Sequence, residues 1–264
     1  MSNSPRPVAV VTGASSGIGA VYADRLAARG YDLLLVARRA DRLEALSARL
    51  AEAHGGSVAV LAADLTKEDD LARVEQALAG NPAISLLVNN AGNAKLAPLA
   101  QTSVAEASTM IALNITSLMR LTQSVLPGFV ARNAGTIINI GSVLSLHALP
   151  TSGVYSGTKG FVLNFSRSLQ AELAGTGVKV QLVLPAATAT ELWDLAGVPL
   201  AGLKPATVMS AEDMVDAALA GLDQGEAITI PPVEDIALWA AYDAARAALF
   251  AATRTGKPAS RYTG

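Results

Sequence analysis

The sequence contains no cysteine, and His54 and His147 are its only histidines. A chain without cysteine forms no disulfide, thiolate nucleophile or cysteine-based metal site, and two histidines offer little for a zinc site. No metal site is therefore expected. Redox chemistry by such a chain requires a bound cofactor.

A strong charge of either sign is also missing. The formal net charge is -2, only 16% of the residues are charged, and no basic run occurs. Nucleic acid and anionic membranes are not expected as partners, because neither would find a positive surface. Aromatic residues make up 4% and hydrophobic residues 51% of the chain, so the core must be built mainly from Ala, Val, Leu and Ile.

The chain has no uninterrupted hydrophobic run of membrane-spanning length. The most apolar long stretch, residues 111–130, is interrupted by Asn114, Arg120, Gln123 and Pro127. Such a stretch is poor for a membrane span and ordinary for a buried helix. Residues 1–7 are short and polar and lack the apolar segment of a secretory signal. A cytoplasmic location is the resulting expectation.

Strand and helix patterns alternate along the chain. Predicted strands cover residues 8–11, 32–37, 58–61, 84–88, 136–140, 178–184 and 227–230, and predicted helices cover 18–29, 40–53, 67–79, 107–132, 153–173, 211–222 and 236–252. Strands separated by helices pair in parallel through right-handed crossovers. The 264 residues therefore predict a single-domain α/β chain with a doubly wound, seven-stranded parallel sheet flanked by helices, the Rossmann arrangement.

Two segments fall outside this alternation. Thr188 to Thr207 carries Gly197, Pro199, Gly202 and Pro205 between short helical pieces, which indicates a flexible lid or an ordinary surface connection. This segment is called the lid below. From about Pro231 the chain continues as a C-terminal extension with one Ala-rich helix.

A glycine-rich turn separates the first strand from the first helix. The turn reads Thr12-Gly13-Ala14-Ser15-Ser16-Gly17-Ile18-Gly19. Glycine permits a tight turn and lets a pyrophosphate approach the exposed N–H groups at the positive end of the helix. The turn therefore predicts a dinucleotide cradle that includes Gly13, Ser15, Ser16, Gly17, Ile18 and Gly19.

Tyr155 and Lys159 lie four residues apart in a predicted helix, so their side chains project from the same face. Proton transfer near neutral pH requires lowering the phenol pKa from about 10 to about 7, or roughly 4 kcal/mol. A lysine charge about 5 Å away supplies about 3 kcal/mol at an effective dielectric near 20. An oxidised nicotinamide would add a second positive charge. In isolation the same spacing also fits an ordinary amphipathic helix.

The second strand ends at Ala37-Arg38-Arg39. An acidic side chain at this point would bind the ribose hydroxyls of NAD and repel a 2′-phosphate, but the position has none. Arg38 instead offers a planar set of donors suited to a phosphate dianion. The expected cofactor is therefore NADP(H). Arg39 either assists or is a solvated residue at the start of a helix.

The order of the motifs resembles one family. TGxxxGxG at the turn, Asn89-Asn90-Ala91-Gly92, and Tyr155-Ser156-Gly157-Thr158-Lys159 form the motif series of the short-chain dehydrogenases/reductases, here of the compact NADP-preferring branch. The resemblance extends to about Ile230. It implies that Ser142 orients a substrate carbonyl, Tyr155 is acid and base, Lys159 assists it, and Asn114 supports a proton relay through water. It also implies cofactor contacts at Asp64 with Leu65, at Asn90, Ala91 and Gly92, and after the sixth strand.

Two details of that pattern stay open. Ser145 lies three residues after Ser142, although the spacing to Tyr155 favours Ser142. After the sixth strand the family usually has Pro-Gly, whereas this chain has Pro185-Ala186, and alanine would resist a positive φ. The hydroxyls of Thr188 and Thr190 suit the nicotinamide carboxamide and the pyrophosphate, or simply cap a helix.

The expected function is hydride transfer between NADPH and a ketone or aldehyde, or the reverse on a secondary alcohol. One alternative is an NAD-dependent alcohol dehydrogenase on the same fold. Another is a non-catalytic nucleotide-sensing protein, although such a protein has no need of Ser142, Tyr155 and Lys159 together. The expected partners are a small carbonyl or alcohol substrate and further copies of the chain in a homodimer or homotetramer, as the resemblance implies.

Overall fold

The computed structural model describes residues 6–263. The chain divides into two compact units, with the boundary after Pro231. The first unit holds the whole sheet and the residues expected to form the site. The second holds one helix and a short 3₁₀ turn, and this helix has no buried residue. None of the described helices is long and apolar enough to cross a bilayer.

The first unit is built on one parallel sheet in the order β3-β2-β1-β4-β5-β6-β7. Its strands are β1 (Val8–Thr12), β2 (Asp32–Ala37), β3 (Val58–Ala62), β4 (Ile84–Asn89), β5 (Gly135–Ile140), β6 (Val178–Val183) and β7 (Ile228–Thr229). The predicted fold class is thereby confirmed. The strand order reverses between β1 and β4, and ligands of doubly wound sheets bind outside the carboxyl ends of the strands at such a point.

Helices cover both faces of the sheet. They are α1 (Gly17–Ala28), α2 (Ala40–His54), α3 (Glu68–Ala79), α4 (Val104–Ile111), α5 (Leu118–Ala131), α6 (Gly153–Glu172), α7 (Leu192–Ala196), α8 (Ala211–Asp223) and, in the second unit, α9 (Ala237–Ala252). On one face, Tyr22, Leu43 and Met214 from α1, α2 and α8 pack on the sheet in one buried cluster. On the other face, Val74, Phe129 and Leu169 from α3, α5 and α6 form a second one. These two layers make the sheet the core of the unit.

The stretch predicted as one helix over residues 107–132 differs in the structure. Helix α4 begins three residues earlier because Ser103 and Glu106 form a capping box, with the Glu106 N–H donating to Ser103 Oγ at 3.2 Å. A π-helical turn, Ala112–Ser117, then joins α4 to α5. Such turns are rare and occur often at functional sites. Asn114 lies within this one.

Thr12 joins the carboxyl ends of β1 and β4. Its hydroxyl donates to the Val88 carbonyl at 3.1 Å and accepts from the N–H groups of Asn90 and Ala91, both at 3.0 Å. Thr12 is buried. The hydroxyl therefore fixes the start of the glycine-rich turn to the Asn-Asn-Ala-Gly segment at the point where the strand order reverses.

Candidate active site

The glycine-rich turn has the backbone that its sequence requires. Gly13 and Gly17 have φ values of +67° and +53°, in the left-handed region that other L residues rarely adopt. A Cβ at Gly13 would lie 2.8 Å from Asn90 Nδ2, so the turn also packs too closely for a side chain there. Asn90 Nδ2 donates to the Thr12 carbonyl at 2.9 Å. The turn leaves the N-terminus of α1 open for an anionic group.

A cavity of about 530 Å³ opens above this turn. Predicted cofactor residues that line it are Gly13, Ser15, Ser16, Gly17, Ile18, Arg38, Arg39, Asp64, Leu65, Asn90, Ala91, Gly92 and Thr190. Gly19 lies beneath the turn instead, where a Cβ would collide with the Gly13 carbonyl. The cavity thus extends from the point where the strand order reverses, between β1 and β4, to the end of β2 and to the lid.

The two arginines after β2 have different surroundings. Arg38 is exposed and, among residues 6–263, forms no hydrogen bond or ion pair with the protein. Arg39 Nε donates to Ser15 Oγ at 3.1 Å, and its Nη2 donates to Ser16 Oγ at 2.7 Å. Arg38 is therefore the arginine whose guanidinium is free to bind an anion in the cavity, whereas Arg39 braces the glycine-rich turn.

Asp64 lies in the connection between β3 and α3. Its Oδ1 accepts from the N–H and the hydroxyl of Thr66, at 3.0 and 2.7 Å. Its own N–H donates to Asp70 at 2.7 Å. The carboxylate is held in a local turn on the cavity wall, next to the buried Leu65. This rigid placement suits a group that recognises a base edge.

Tyr155 and Lys159 face inward from α6 and are both buried. The Lys159 Nζ lies 5.8 Å from the centre of the Tyr155 ring and donates to the Ile140 carbonyl at 2.9 Å. Burial raises the pKa of Tyr155 to about 12, while a side-chain hydrogen bond with Ser142 acts in the opposite direction. Burial lowers the pKa of Lys159 to about 8. Burial thus shifts both groups toward their neutral forms, but with a pKa of about 8 the Lys159 amine is still mostly charged at neutral pH.

The hydrogen bonds of Ser142 and Ser145 give these two serines different roles. Ser142 is buried and its side chain interacts with Tyr155. Its Oγ also accepts from the Leu144 N–H at 3.1 Å. Ser145 Oγ donates to the Ser142 carbonyl at 2.6 Å and so serves the turn itself. Ser142 is the serine that the fold brings to Tyr155.

Asn114 is buried inside the π turn. Its Oδ1 accepts from the Asn93 N–H at 3.0 Å, and its Nδ2 donates to the Asn93 carbonyl at 2.9 Å and to Thr158 Oγ1 at 3.0 Å. A Cβ at Gly92 would lie 3.2 Å from Asn114 Oδ1 and 3.8 Å from Lys159 Nζ. Asn114 therefore ties the segment after β4 to α6, close to the Lys159 amine.

The residues after β6 form the base of the lid. The Pro185 carbonyl accepts from the Val143 N–H at 3.0 Å. Ala186 does not adopt a positive φ, since Asn133 is the one non-glycine residue of 6–263 that does. The alanine thus fits without strain. Thr188 is buried and pairs with Met209 in a short bridge, whereas Thr190 reaches the cavity wall and the turn.

The structure adds site residues that the sequence patterns did not single out, apart from Leu144 and Leu192, which the sequence offered either as an apolar pocket wall or as core residues. Glu191 of the lid lines the cavity and pairs with Arg39 at 2.8 Å. An apolar cluster around Tyr155 contains Ala94, Leu96, Met110, Leu144, Val154, Leu192 and Ala196. Its members come from five separated stretches of chain, so no local signal in the sequence assembles them.

Residues 7–197 match the family model described as short chain dehydrogenase. The match spans more than half of the chain, and the chain belongs to the short-chain dehydrogenase family of oxidoreductases. The sequence is also 38% identical over 188 residues to a very-long-chain 3-oxoacyl-CoA reductase from Bos taurus, covering 70% of this chain and 60% of that protein. The chain thus spans less than two thirds of the length of this relative.

Two solved structures are similar over nearly the whole chain. A short-chain dehydrogenase from Sphingobium yanoikuyae in complex with NADPH is 46% identical, with a TM-score of 0.93 over 97% of this chain and all of that one. A bulky-bulky ketone specific alcohol dehydrogenase from Comamonas testosteroni is 39% identical, with a TM-score of 0.90 over 99% of this chain and all of that one. The resemblance inferred from the motifs is thereby confirmed.

Proposed function

We propose that this chain is an NADP(H)-dependent oxidoreductase that transfers a hydride between NADPH and a ketone or aldehyde, or in reverse from a secondary alcohol. The observation that carries the proposal is the buried Tyr155 side chain, held by Ser142 and with Lys159 Nζ 5.8 Å from its ring. A phenol in this position can protonate the oxygen of a carbonyl as that carbon is reduced.

Each residue of the set has a defined role in the proposed reaction. Bound NADPH supplies the hydride for the carbonyl carbon. Ser142 donates a hydrogen bond to the carbonyl oxygen and fixes its direction, and Tyr155 gives that oxygen its proton. Lys159 stabilises the resulting phenolate by its charge and holds ribose hydroxyls of the cofactor. Asn114, between the segment after β4 and α6, supports the water relay that restores the proton.

The preference for NADP(H) rests on Arg38. Its exposed guanidinium lines the cavity without a partner in the described chain, and β2 ends in Ala37 rather than in an acid. Such an arginine attracts a 2′-phosphate, and nothing at the strand end repels one. The NADPH complex of the relative from Sphingobium yanoikuyae is consistent with this proposal.

The apolar cluster around Tyr155 favours a bulky hydrophobic carbonyl. Leu96, Leu144 and Leu192 are partly buried and pack against the apolar cluster that includes Tyr155. An apolar wall of this kind gains free energy from apolar area that leaves water, and gains little from a small polar substrate. The bulky-ketone specificity named for the Comamonas testosteroni enzyme supports the same class of substrate.

The rate at which NADPH absorbance is lost in the presence of each of a graded panel of ketones tests this function. We expect NADPH oxidation with aryl and long-chain ketones, slower oxidation with the smallest aliphatic ketones, and weaker activity with NADH. If the chain binds NADPH but oxidises it with no carbonyl and reduces NADP⁺ with no alcohol, the nucleotide-sensing alternative replaces the proposal.

The flexible lid, the homodimer or homotetramer and the cytoplasmic location belong to the same proposal. Family membership supports an oligomer, which light scattering of the purified chain would measure.

A further inference from the structure

The lid carries two acidic residues, Glu191 and Asp194, and they differ in their surroundings. Both line the cavity. Glu191 Oε2 accepts from Arg39 Nη1 at 2.8 Å, and its Oε1 accepts from Arg42 Nη1 at 2.7 Å. Within residues 6–263, Asp194 has no hydrogen bond or ion pair from its carboxylate. One of two similar carboxylates thus connects the lid to the beginning of α2.

The base of the lid is fixed independently of Glu191. The Ala189 N–H donates to the Met209 carbonyl at 2.8 Å, and the Met209 N–H donates to the Ala187 carbonyl at 2.9 Å. These bonds close the two ends of the segment on each other. The motion of residues 190–208, which lie between these bonds, is therefore limited by the contacts that those residues make with the rest of the protein.

Beyond its base and the apolar packing of Leu192 and Ala196, three contacts between the lid and the rest of the described chain are relevant to its motion. Thr190 packs on the glycine-rich turn, where a Cβ at Gly17 would lie 3.0 Å from Thr190 Cγ2. The Leu96 N–H donates to the Ala196 carbonyl at 3.1 Å. Glu191 provides the third contact, and it is the one that carries opposite charges across the cavity mouth.

Arg39 links this third contact to the nucleotide cradle. While its Nη1 binds Glu191, its Nε and Nη2 donate to Ser15 and Ser16 of the turn. Arg42 does not line the cavity. The pair of arginines also holds the pKa of Glu191 down to about 2, so the carboxylate is charged at any physiological pH. Protonation therefore does not break the ion pairs of Glu191 at physiological pH, whereas salt weakens them.

We propose that Glu191 is a positioning residue that latches the lid to Arg39 and Arg42 and thereby sets how long the nucleotide stays in the cavity. A nucleotide can leave only when the lid contacts on the cavity mouth open, so every contact that survives until opening slows its release. The inference rests on the proposed function for the identity of the nucleotide but not on any catalytic step.

The matched variants are Glu191→Gln, Arg42→Gln and Asp194→Asn. Glu191→Gln and Arg42→Gln each remove one member of the latch, and Arg42 does so from outside the cavity. Asp194→Asn removes the same charge from the same lid without breaking an ion pair. Stopped-flow fluorescence of bound NADPH, and in parallel NADH, measures the dissociation rate constant of each protein.

We expect NADPH and NADH release to accelerate about three- to tenfold in Glu191→Gln, the range that two exposed ion pairs allow. Arg42→Gln accelerates release less, and adding it to Glu191→Gln adds little, because both changes break the same connection. Asp194→Asn releases nucleotide no faster than the wild type, because it breaks no ion pair and removes a negative charge from the cavity wall. Raising the salt concentration accelerates NADH release more strongly in wild type than in Glu191→Gln.

A second readout needs no nucleotide. In hydrogen exchange of the free protein, Glu191→Gln should speed exchange of amides in residues 190–207 and leave those of β1 and β4 unchanged. Unchanged release together with unchanged lid exchange overturns the latch. Slower NADPH release with unchanged NADH release overturns it too, since that result means that Glu191 competes with the 2′-phosphate for Arg39. Faster release from a chain that reduces no carbonyl would leave the latch intact and reject the proposed reductase.

Discussion

Lys159 Nζ lies 5.8 Å from the centre of the Tyr155 ring, and both side chains are buried on the same face of α6. The four-residue spacing predicts this proximity. It does not predict the opposing effect of burial, which raises the pKa of Tyr155 to about 12 and lowers that of Lys159 to about 8. The positive charge of an oxidised nicotinamide would oppose the raised pKa of Tyr155 but would lower the pKa of Lys159 further, so we expect the Tyr155 phenolate to form only in the presence of the cofactor.

Replacing Tyr155 by phenylalanine should abolish turnover and leave NADPH binding nearly intact. Loss of a positioned general acid costs about 10²- to 10⁴-fold in rate. Steady-state kinetics and a fluorescence titration with NADPH measure the two effects separately. Tyr22→Phe is the matched control, because Tyr22 is also buried, on the core side of α1, and its hydroxyl has no hydrogen-bond partner among the described residues. Substantial activity in Tyr155→Phe would remove Tyr155 from its proposed role.

Replacing Arg38 by serine should reduce the preference for NADPH over NADH by about 10- to 100-fold, since charge-assisted hydrogen bonds contribute about 1.5–3 kcal/mol each. The ratio of kcat/KM for the two cofactors measures the change, and the NADH value itself should move little. Arg49→Ser controls for the loss of a positive charge, because Arg49 lies on α2 and does not line the cavity. An unchanged cofactor ratio would assign the 2′-phosphate to another residue.

Replacing Lys159 by methionine should alter how stability depends on pH. The pKa of Lys159 falls from 10.5 to about 8 in the folded chain. Between these values the unfolded chain binds more protons than the folded chain, so the wild type gains stability as the pH rises. The free energy of unfolding of wild type relative to Lys159→Met should therefore increase by about 3 kcal/mol from pH 8 to pH 10.5.

Urea unfolding at several pH values in this window measures that difference. Lys67→Met serves as the control, because it makes the same replacement at an exposed lysine. A difference between wild type and Lys159→Met that stays flat across the window would mean that Lys159 remains fully charged in the folded chain.

Replacing Gly19 by alanine should destabilise the chain by about 1–3 kcal/mol and weaken NADPH binding more than that loss explains. The added methyl group would collide with the Gly13 carbonyl and with Asn90 Nδ2, both part of the nucleotide cradle. Gly160→Ala makes the same change in α6, where the described residues place no atom within 4 Å of the new Cβ apart from the adjacent residues and the backbone of the helix itself. That variant should be neutral or stabilised by about 0.5–1 kcal/mol. Thermal unfolding and NADPH titration of both variants decide the matter.

The sheet could be predicted closely because several of its strands contain continuous apolar runs. The runs at Val8 to Val11 and at Leu33 to Val36, for example, are typical of strands that are buried on both faces. The start of α4 was predicted too late because its signal is the polar capping pair Ser103 and Glu106, not the apolar pattern. The π turn had no local signal, since Asn114 is held there by Asn93, 21 residues earlier.

The residues of the nucleotide cradle could be predicted because short motifs encode them and strand ends bring them together. The walls contributed by the lid could not. Glu191 lies 152 residues from Arg39 and 149 from Arg42 in the sequence, and nothing near it identifies either partner. Tertiary contacts of this length depend on how the lid folds back, which local patterns do not specify.

The Thr12 hydroxyl, with its bonds to Val88, Asn90 and Ala91, makes two loops behave as one part. A chimera could exchange the glycine-rich turn with that of a relative and leave the Asn-Asn-Ala-Gly segment unchanged. Such a chimera would separate the N–H groups of Asn90 and Ala91 from the Thr12 hydroxyl that accepts from both. Transplantation of nucleotide specificity into or out of this scaffold therefore has to move residues 12–19 and 88–91 as a single module, even though 68 residues of chain lie between them.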